Sequence, residues 1–124
     1  MPPAELISIV ITTYNRSDAL AVVLRALALQ DDKHFEVVIA DDGSTELHRN
    51  ALAATAIGTG LRIKHVWHPD VGFTAGCARN RGVSATAGDY IVLLDGDCVP
   101  ETDFVRQHRK LRESGCFVNG SKIG

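Results

Sequence analysis

Apolar residues fall along this chain in short runs of two kinds, and the two kinds alternate. Leu6-Ile7-Ser8-Ile9-Val10-Ile11, Phe35-Glu36-Val37-Val38-Ile39-Ala40 and Tyr90-Ile91-Val92-Leu93-Leu94 are compact and rich in β-branched residues, so they read as strands. Leu61-Arg62-Ile63-Lys64-His65-Val66-Trp67 alternates, which predicts a strand with one wetter face near the edge of a sheet. Between the strands, Leu20, Val23, Leu24 and Leu27 follow the stripe of a helix lying on a sheet, with Asn15 or Ser17 as its cap. An alanine-rich helix is expected over residues 46–57, stopped by Gly58-Thr59-Gly60, and a third over residues 74–85. Pro100 suits the first turn of a fourth helix. In that helix Phe104, Val105 and Leu111 form an apolar side with His108 at its rim, and Arg106 and Arg109 face water. Cys116-Phe117-Val118 reads as the start of one more strand.

The order βαβαβαβα predicts an α/β fold: a three-layer α/β/α, Rossmann-like parallel sheet with helices on both faces. Residues 90–94 form an unbroken apolar run, which is expected to lie in the middle of that sheet, buried on both faces.

Such strands have polar chemistry only where they leave the sheet. The first runs into Thr12-Thr13-Tyr14-Asn15-Arg16, the second into Asp41-Asp42-Gly43-Ser44-Thr45, and the fourth into Asp95-Gly96-Asp97. In open α/β sheets the ligand crevice lies beyond the carboxyl ends of the strands. Two carboxylates joined by a glycine repel each other unless a cation sits between them, and hard oxygen ligands suit Mg²⁺ or Mn²⁺. The competing reading is turn and cap chemistry, for which Asp-Gly is ordinary. Acid at the same edge of two strands weighs toward a site.

Residues 70–82 are crowded with small side chains. Gly72 and Gly76 would let a ligand or another backbone come close. A helix start there, with Arg79 and Arg81, would favour an anion. Close helix–sheet packing with a solvated basic face explains the same residues. His65 and His68 stand three apart on an extended chain, point to opposite faces, and are discounted as a metal pair.

Bulk properties narrow the classes. The 124 residues suffice for one small domain, and a net charge of −2 gives no basic footprint for nucleic acid. No apolar run approaches a membrane span, and the first residues lack the basic region of a secretory signal. The three cysteines form no CxxC and read as reduced thiols of a cytoplasmic protein. The glycine fingerprints of dinucleotide-binding folds and phosphate-loop enzymes are absent.

Taken together, Val10-Ile11-Thr12-Thr13-Tyr14-Asn15-Arg16, Val38-Ile39-Ala40-Asp41-Asp42-Gly43-Ser44-Thr45, Leu93-Leu94-Asp95-Gly96-Asp97 and the Ala78-Arg79-Asn80-Arg81-Gly82 segment form a recognisable set. The set resembles the N-terminal, nucleotide-sugar-binding half of family 2 glycosyltransferases with the GT-A fold, in the bacterial polysaccharide, lipopolysaccharide and chondroitin-polymerase-like branch. The resemblance covers essentially the whole chain. It implies that Thr12 and Tyr14 hold and stack on a base, and that Asp42, with Asp41 beside it, reads the base edge. It implies that Arg79 approaches the nucleotide or its phosphates. Asp95 and Asp97 would be the DxD pair, holding ribose and a divalent cation, Mn²⁺ or Mg²⁺.

The implied activity is metal-dependent, inverting transfer of a sugar from a nucleotide-diphosphate sugar, a UDP-sugar, to a glycan or lipid-linked acceptor in cell-surface polysaccharide synthesis. A general base is then expected beyond Gly124, since only 27 residues (124 − 97) follow Asp97. Residues 1–124 are accordingly expected to be a donor-binding domain without its acceptor-binding half. It would bind donor with little transfer and self-associate through exposed apolar surface. The intact enzyme would be cytoplasmic or peripheral to the inner membrane.

Three other readings compete. One is a non-catalytic docking or regulatory module derived from such a transferase. Another is a haloacid-dehalogenase-like phosphatase with Asp95 as phosphoryl nucleophile and Asp97 as general acid, a fold in which this strand should come first. A nucleotidyltransferase shares the metal logic but carries a glycine-rich basic loop after its first strand, and Thr12-Thr13-Tyr14-Asn15-Arg16 has no glycine.

Overall fold

A computed structural model describes residues 6–69, 75–88 and 90–113. Eight elements alternate as expected: β1 Ile7–Thr13, α1 Ser17–Ala28, β2 Phe35–Asp41, α2 Glu46–Thr59, β3 Ile63–Trp67, α3 Ala75–Ser84, β4 Tyr90–Asp95 and α4 Phe104–Glu113. The strands form one parallel sheet in the order β3-β2-β1-β4. The expected strand at Cys116-Phe117-Val118 lies outside the described residues.

The strand order places β1 and β2 at the centre, and both are buried almost along their whole length. Whether β4 lies mid-sheet, as expected, turns on the strand expected at Cys116-Phe117-Val118, outside the described residues. Among the described residues β4 pairs with β1 alone, and its burial alternates residue by residue. Its apolar run marks a strand covered by helices, which does not require a strand on each side. β3 is the opposite flank, half exposed as its alternation predicted.

Side chains alternate across the sheet, so each strand feeds two cores. Ile7, Ile9 and Ile11, with Val37, Ile39, Val92 and Leu94, meet Leu20, Leu24 and Leu27 of α1, Leu52 of α2, and Phe104 and Val105 of α4. The other face is thinner, with Val10, Val38 and Ala40 meeting Ala78 of α3. The close approach of α3 depends on Gly82. A Cβ there would lie 2.9 Å from both the Ala40 Cβ and the Val10 Cγ1. For this glycine the packing explanation holds.

Four local expectations are revised. Neither Asn15 nor Ser17 caps α1, because Arg16 occupies that position without a side-chain cap bond. α4 begins at Phe104, four residues after Pro100, which is itself buried. His108 lies inside the core, 1% exposed, with its ring edge-on to Phe104 at 4.7 Å. Nor does Arg109 face open water. It grips Asp32 through two nitrogens, at 2.6 and 3.2 Å, and the His34 carbonyl at 3.0 Å, tying α4 to the α1–β2 loop. Arg106 makes a looser, half-exposed pair with Asp31.

At the amino edge a buried acid joins three strands. Glu36, 4% exposed, accepts from the Ser8 hydroxyl at 2.6 Å and the Ala87 amide at 2.5 Å, and pairs with Lys64 at 3.2 Å. Burial pushes its pKa up, but these donors outweigh burial and hold it below its ordinary value.

Candidate functional site

All the polar strand ends emerge at one edge of the sheet. Parallel pairing sets Thr12 opposite Asp95 and Thr13 opposite Asp41. From β1 the chain steps outward to β2 and β3, then returns to the far side of β1 for β4. The switch in direction therefore lies between β1 and β4, where the outgoing loops diverge and leave a crevice. A cleft of about 140 Å³ occupies that position, lined by Thr12, Thr13, Tyr14, Arg16, Ala19, Gly96 and Asp97. Tyr14 is 46% exposed there. Gly96 lets the β4 loop close on β1, since a Cβ would lie 2.6 Å from the Thr12 carbonyl oxygen. A wider hollow between α1 and α2, lined by Arg25, Leu29, Thr55 and Thr59 among others, carries no acid.

Ligand atoms of Asp95, Asp97 and Cys98 all lie within 4.8 Å of one another. The loop holds its shape through the Cys98 amide, which donates to the Asp95 carbonyl at 3.1 Å. The Cys98 thiol lies 3.8 Å from an Asp97 oxygen. Two carboxylates in a partly open mouth fit a hard divalent cation such as Mn²⁺ or Mg²⁺, with coordination sites left for phosphate and water.

The two acids that end β2 have different surroundings. Asp41 is fully buried. One of its oxygens accepts from the Ser44 amide at 2.8 Å and the other meets His65 Nε2 at 2.7 Å. Burial raises its pKa, yet the His65 and Ser44 hydrogen bonds prevail and hold it below the ordinary carboxylate value. Asp41 therefore braces the turn from inside, and the expectation that it faces a ligand beside Asp42 does not fit this geometry. Asp42 is the outward member. Its amide donates to the Thr13 carbonyl at 3.0 Å, and its side chain is 15% exposed. His68 Nε2 stands 3.1 Å from Asp42 Oδ1.

His65 and His68, set aside as a metal pair, thus each serve one of the two acids. Nothing in the local pattern announces this, because the contacts span 24 and 26 residues. The usable signal was the pairing of acid-acid with His-x-x-His on consecutive parallel strands.

Asn15 was the other residue misjudged. It adopts a left-handed backbone, φ 49°, which asparagine tolerates better than most residues. Its amide donates to Ser44 Oγ at 2.9 Å, and its side-chain oxygen accepts from the Thr45 amide at 2.9 Å. It links the β1 and β2 loops and serves the start of α2 rather than α1. Trp67 closes the same turn, donating from Nε1 to the Ser44 carbonyl at 3.0 Å under the Arg49 guanidinium.

Of the sequence-predicted residues, Thr12, Tyr14 and Asp97 line one cleft, with Asp95 at its β4 wall. Asp42 stands one strand beyond β1. Strands lie about 4.8 Å apart, so the β2 and β4 tips are separated by about 10 Å on the same edge. Arg79 and Arg81 are exposed on α3, while Gly72 lies outside the described residues.

Known proteins share this fold. The model of a family described as glycosyl transferase family 2 matches residues 8–117. A chondroitin synthase of Escherichia coli is 36% identical over 106 residues, which is 85% of this chain and 15% of that protein. The chain spans well under half the length of the curated relatives it matches. Among solved structures, a mannosyltransferase from Pyrobaculum calidifontis, in complex with GDP-Man and Mn²⁺, superposes with a TM-score of 0.76 at 22% identity, over 88% of this chain and 33% of that one. Glucosyl-3-phosphoglycerate synthase of Mycobacterium tuberculosis, solved with Mn²⁺, UDP and glucosyl-3-phosphoglycerate, gives a TM-score of 0.59 at 28% identity, over 82% of this chain and 37% of that one.

Proposed function

Because the chain belongs to glycosyl transferase family 2, we propose that it is the donor-binding part of a glycosyltransferase that uses a UDP-sugar and a divalent cation. The observation that carries this reading is the convergence of Thr12, Tyr14, Asp95 and Asp97 at the β1–β4 switch, with Asp42 on the same edge.

Each group has a task its chemistry suits. Tyr14, 46% exposed, offers an aromatic ring for stacking on a base. The Asp42 carboxylate accepts a hydrogen bond from a base N–H, which uracil carries at N3. Asp95 and Asp97 would hold the cation, and Asp95 would also meet the ribose hydroxyls. Bound there, a cation would supply positive charge against the charge that grows on the departing diphosphate, an interaction stronger in the transition state than in the ground state. Arg79, exposed on α3, supplies positive charge to the phosphates. The acceptor is a glycan or lipid-linked glycan of a cell-surface polysaccharide, and the transfer inverts the anomeric centre. The polysaccharide-synthase character of the relatives supports that assignment. The phosphatase reading loses its basis, since the strand bearing Asp95 comes fourth in the chain.

Titration calorimetry of this chain with UDP, with and without Mn²⁺, tests the proposal. The expected result is saturable binding that needs Mn²⁺ and weakens at least roughly tenfold in Asp97→Ala, the loss of one charge-assisted ligand. Binding of UDP that is indifferent both to Mn²⁺ and to Asp97→Ala would refute it.

A further inference from the structure

We infer that Thr13 is a specificity-determining residue whose hydroxyl meets the ribose of the bound nucleotide, so that the site takes a ribonucleotide in preference to its deoxy counterpart. This rests on the reading of the β1–β4 cleft as the donor site.

Thr13 is the last residue of β1 and is 8% exposed. Its backbone is held by the fold, since it sits in register with Asp41 and its carbonyl accepts from the Asp42 amide at 3.0 Å. Its Oγ1 is buried and makes no hydrogen bond among the described residues. The residue lines the cleft together with Tyr14, Gly96 and Asp97. A Cβ on Gly96 would lie 3.7 Å from the Thr13 Cβ, so the Thr13 side chain stands against the Asp95-Gly96-Asp97 turn. A β-branched residue suits the end of a central strand, but valine has that shape without a polar atom. A buried hydroxyl without a partner has given up water and gained nothing in return. The fold makes no use of this hydroxyl; a ligand in the cleft would.

The chemistry of the cleft selects the ligand group. A nucleotide whose base stacks on Tyr14 and whose diphosphate goes to a cation at Asp95 and Asp97 must run its ribose between them, past Thr13. Ribose presents hydroxyls that both donate and accept, and the threonine hydroxyl does the same. Rotation about χ1 exchanges the Thr13 hydroxyl and methyl without moving the backbone, so the oxygen can turn to meet a bound sugar.

The experiment is calorimetric titration of UDP, 2′-deoxy-UDP and 3′-deoxy-UDP, each with Mn²⁺, into the wild-type chain, Thr13→Val and Thr13→Ser, alongside urea unfolding of the three proteins without ligand. The wild type is expected to prefer UDP to at least one of the deoxy compounds. Thr13→Val should weaken UDP by roughly fivefold, the worth of one hydrogen bond between neutral groups, and leave that deoxy compound unchanged. The preference then shrinks by the same factor. Thr13→Ser keeps the hydroxyl and should keep the preference. The urea midpoint of Thr13→Val should equal or exceed that of the wild type, because the lost hydroxyl had no partner. Wild-type ratios among the three nucleotides in Thr13→Val overturn this inference alone. So does a Thr13→Val chain that is less stable than the wild type or unfolded, because the hydroxyl would then serve the fold. No UDP binding by the wild type would overturn it together with the reading it rests on.

Discussion

Asp41→Ala separates two roles that adjacent residues would otherwise share. Asp41 is fully buried, and its two oxygens meet the Ser44 amide at 2.8 Å and His65 Nε2 at 2.7 Å. A hydrogen bond to a charged group contributes about 1.5–3 kcal/mol, and a buried donor left without a partner costs a similar amount. The His65 side chain is 24% exposed, so water recovers part of its loss. The Ser44 amide is buried with its residue and recovers little. The low end of each range gives a destabilisation of about 3 kcal/mol, a large share of the 5–15 kcal/mol that holds a typical domain together.

Asp41→Asn should cost less, about 2 kcal/mol, because its carbonyl keeps the Ser44 bond and its amide can donate to a re-tautomerised His65. Asp42→Ala should cost about 1 kcal/mol or less in folding, since that side chain is partly in water, yet it should weaken UDP. The assay is urea unfolding followed by far-UV circular dichroism. A probe away from the single Trp67 is needed, because that residue bonds to the same turn. With a slope of about 1.5 kcal/mol per molar, a typical value, the Asp41→Ala midpoint should fall by about 2 M without a change in slope. An Asp41→Ala protein as stable as the wild type but deficient in UDP binding would refute the division of roles.

Three further outcomes are expected. Gly82→Ala should cost about 1–3 kcal/mol, because its Cβ meets Ala40 and Val10 on a central part of the sheet. Gly58→Ala should stabilise by about 0.5–1 kcal/mol, because that position is helical with nothing within 4 Å of the new Cβ; urea midpoints check both signs. Acid should destabilise the fold in two stages. Burial holds His108 below its ordinary 6.5, so the unfolded chain binds that proton first and stability begins to fall as pH drops below about 6.5. Glu36 and Asp41 are held below their ordinary 4.5 and 3.8, so the stability they contribute is complete above those values and is lost as pH falls through their lower folded-state values. Unfolding free energy measured from pH 8 to 3 should show both stages, and Glu36→Gln should flatten only the second.

The alternation of elements, the amphipathic stripe of α1 and the acid at two strand ends were all legible in the chain, because each depends on a period of two or of 3.6 along a single segment. The carboxyl edge followed from the same reading, since parallel strands joined by helices must all end on one side. That β4 lies beside β1 and not beside β3 was not legible. An apolar run reports that helices cover a strand and carries no information about which strands adjoin it. Nor could the chain say which of Asp41 and Asp42 turns inward, or that His65 and His68 would meet them while Asn15 meets Ser44 and Thr45. Those contacts join residues 24 to 30 positions apart, and only the β1–β2–β3 register brings them within hydrogen-bonding distance.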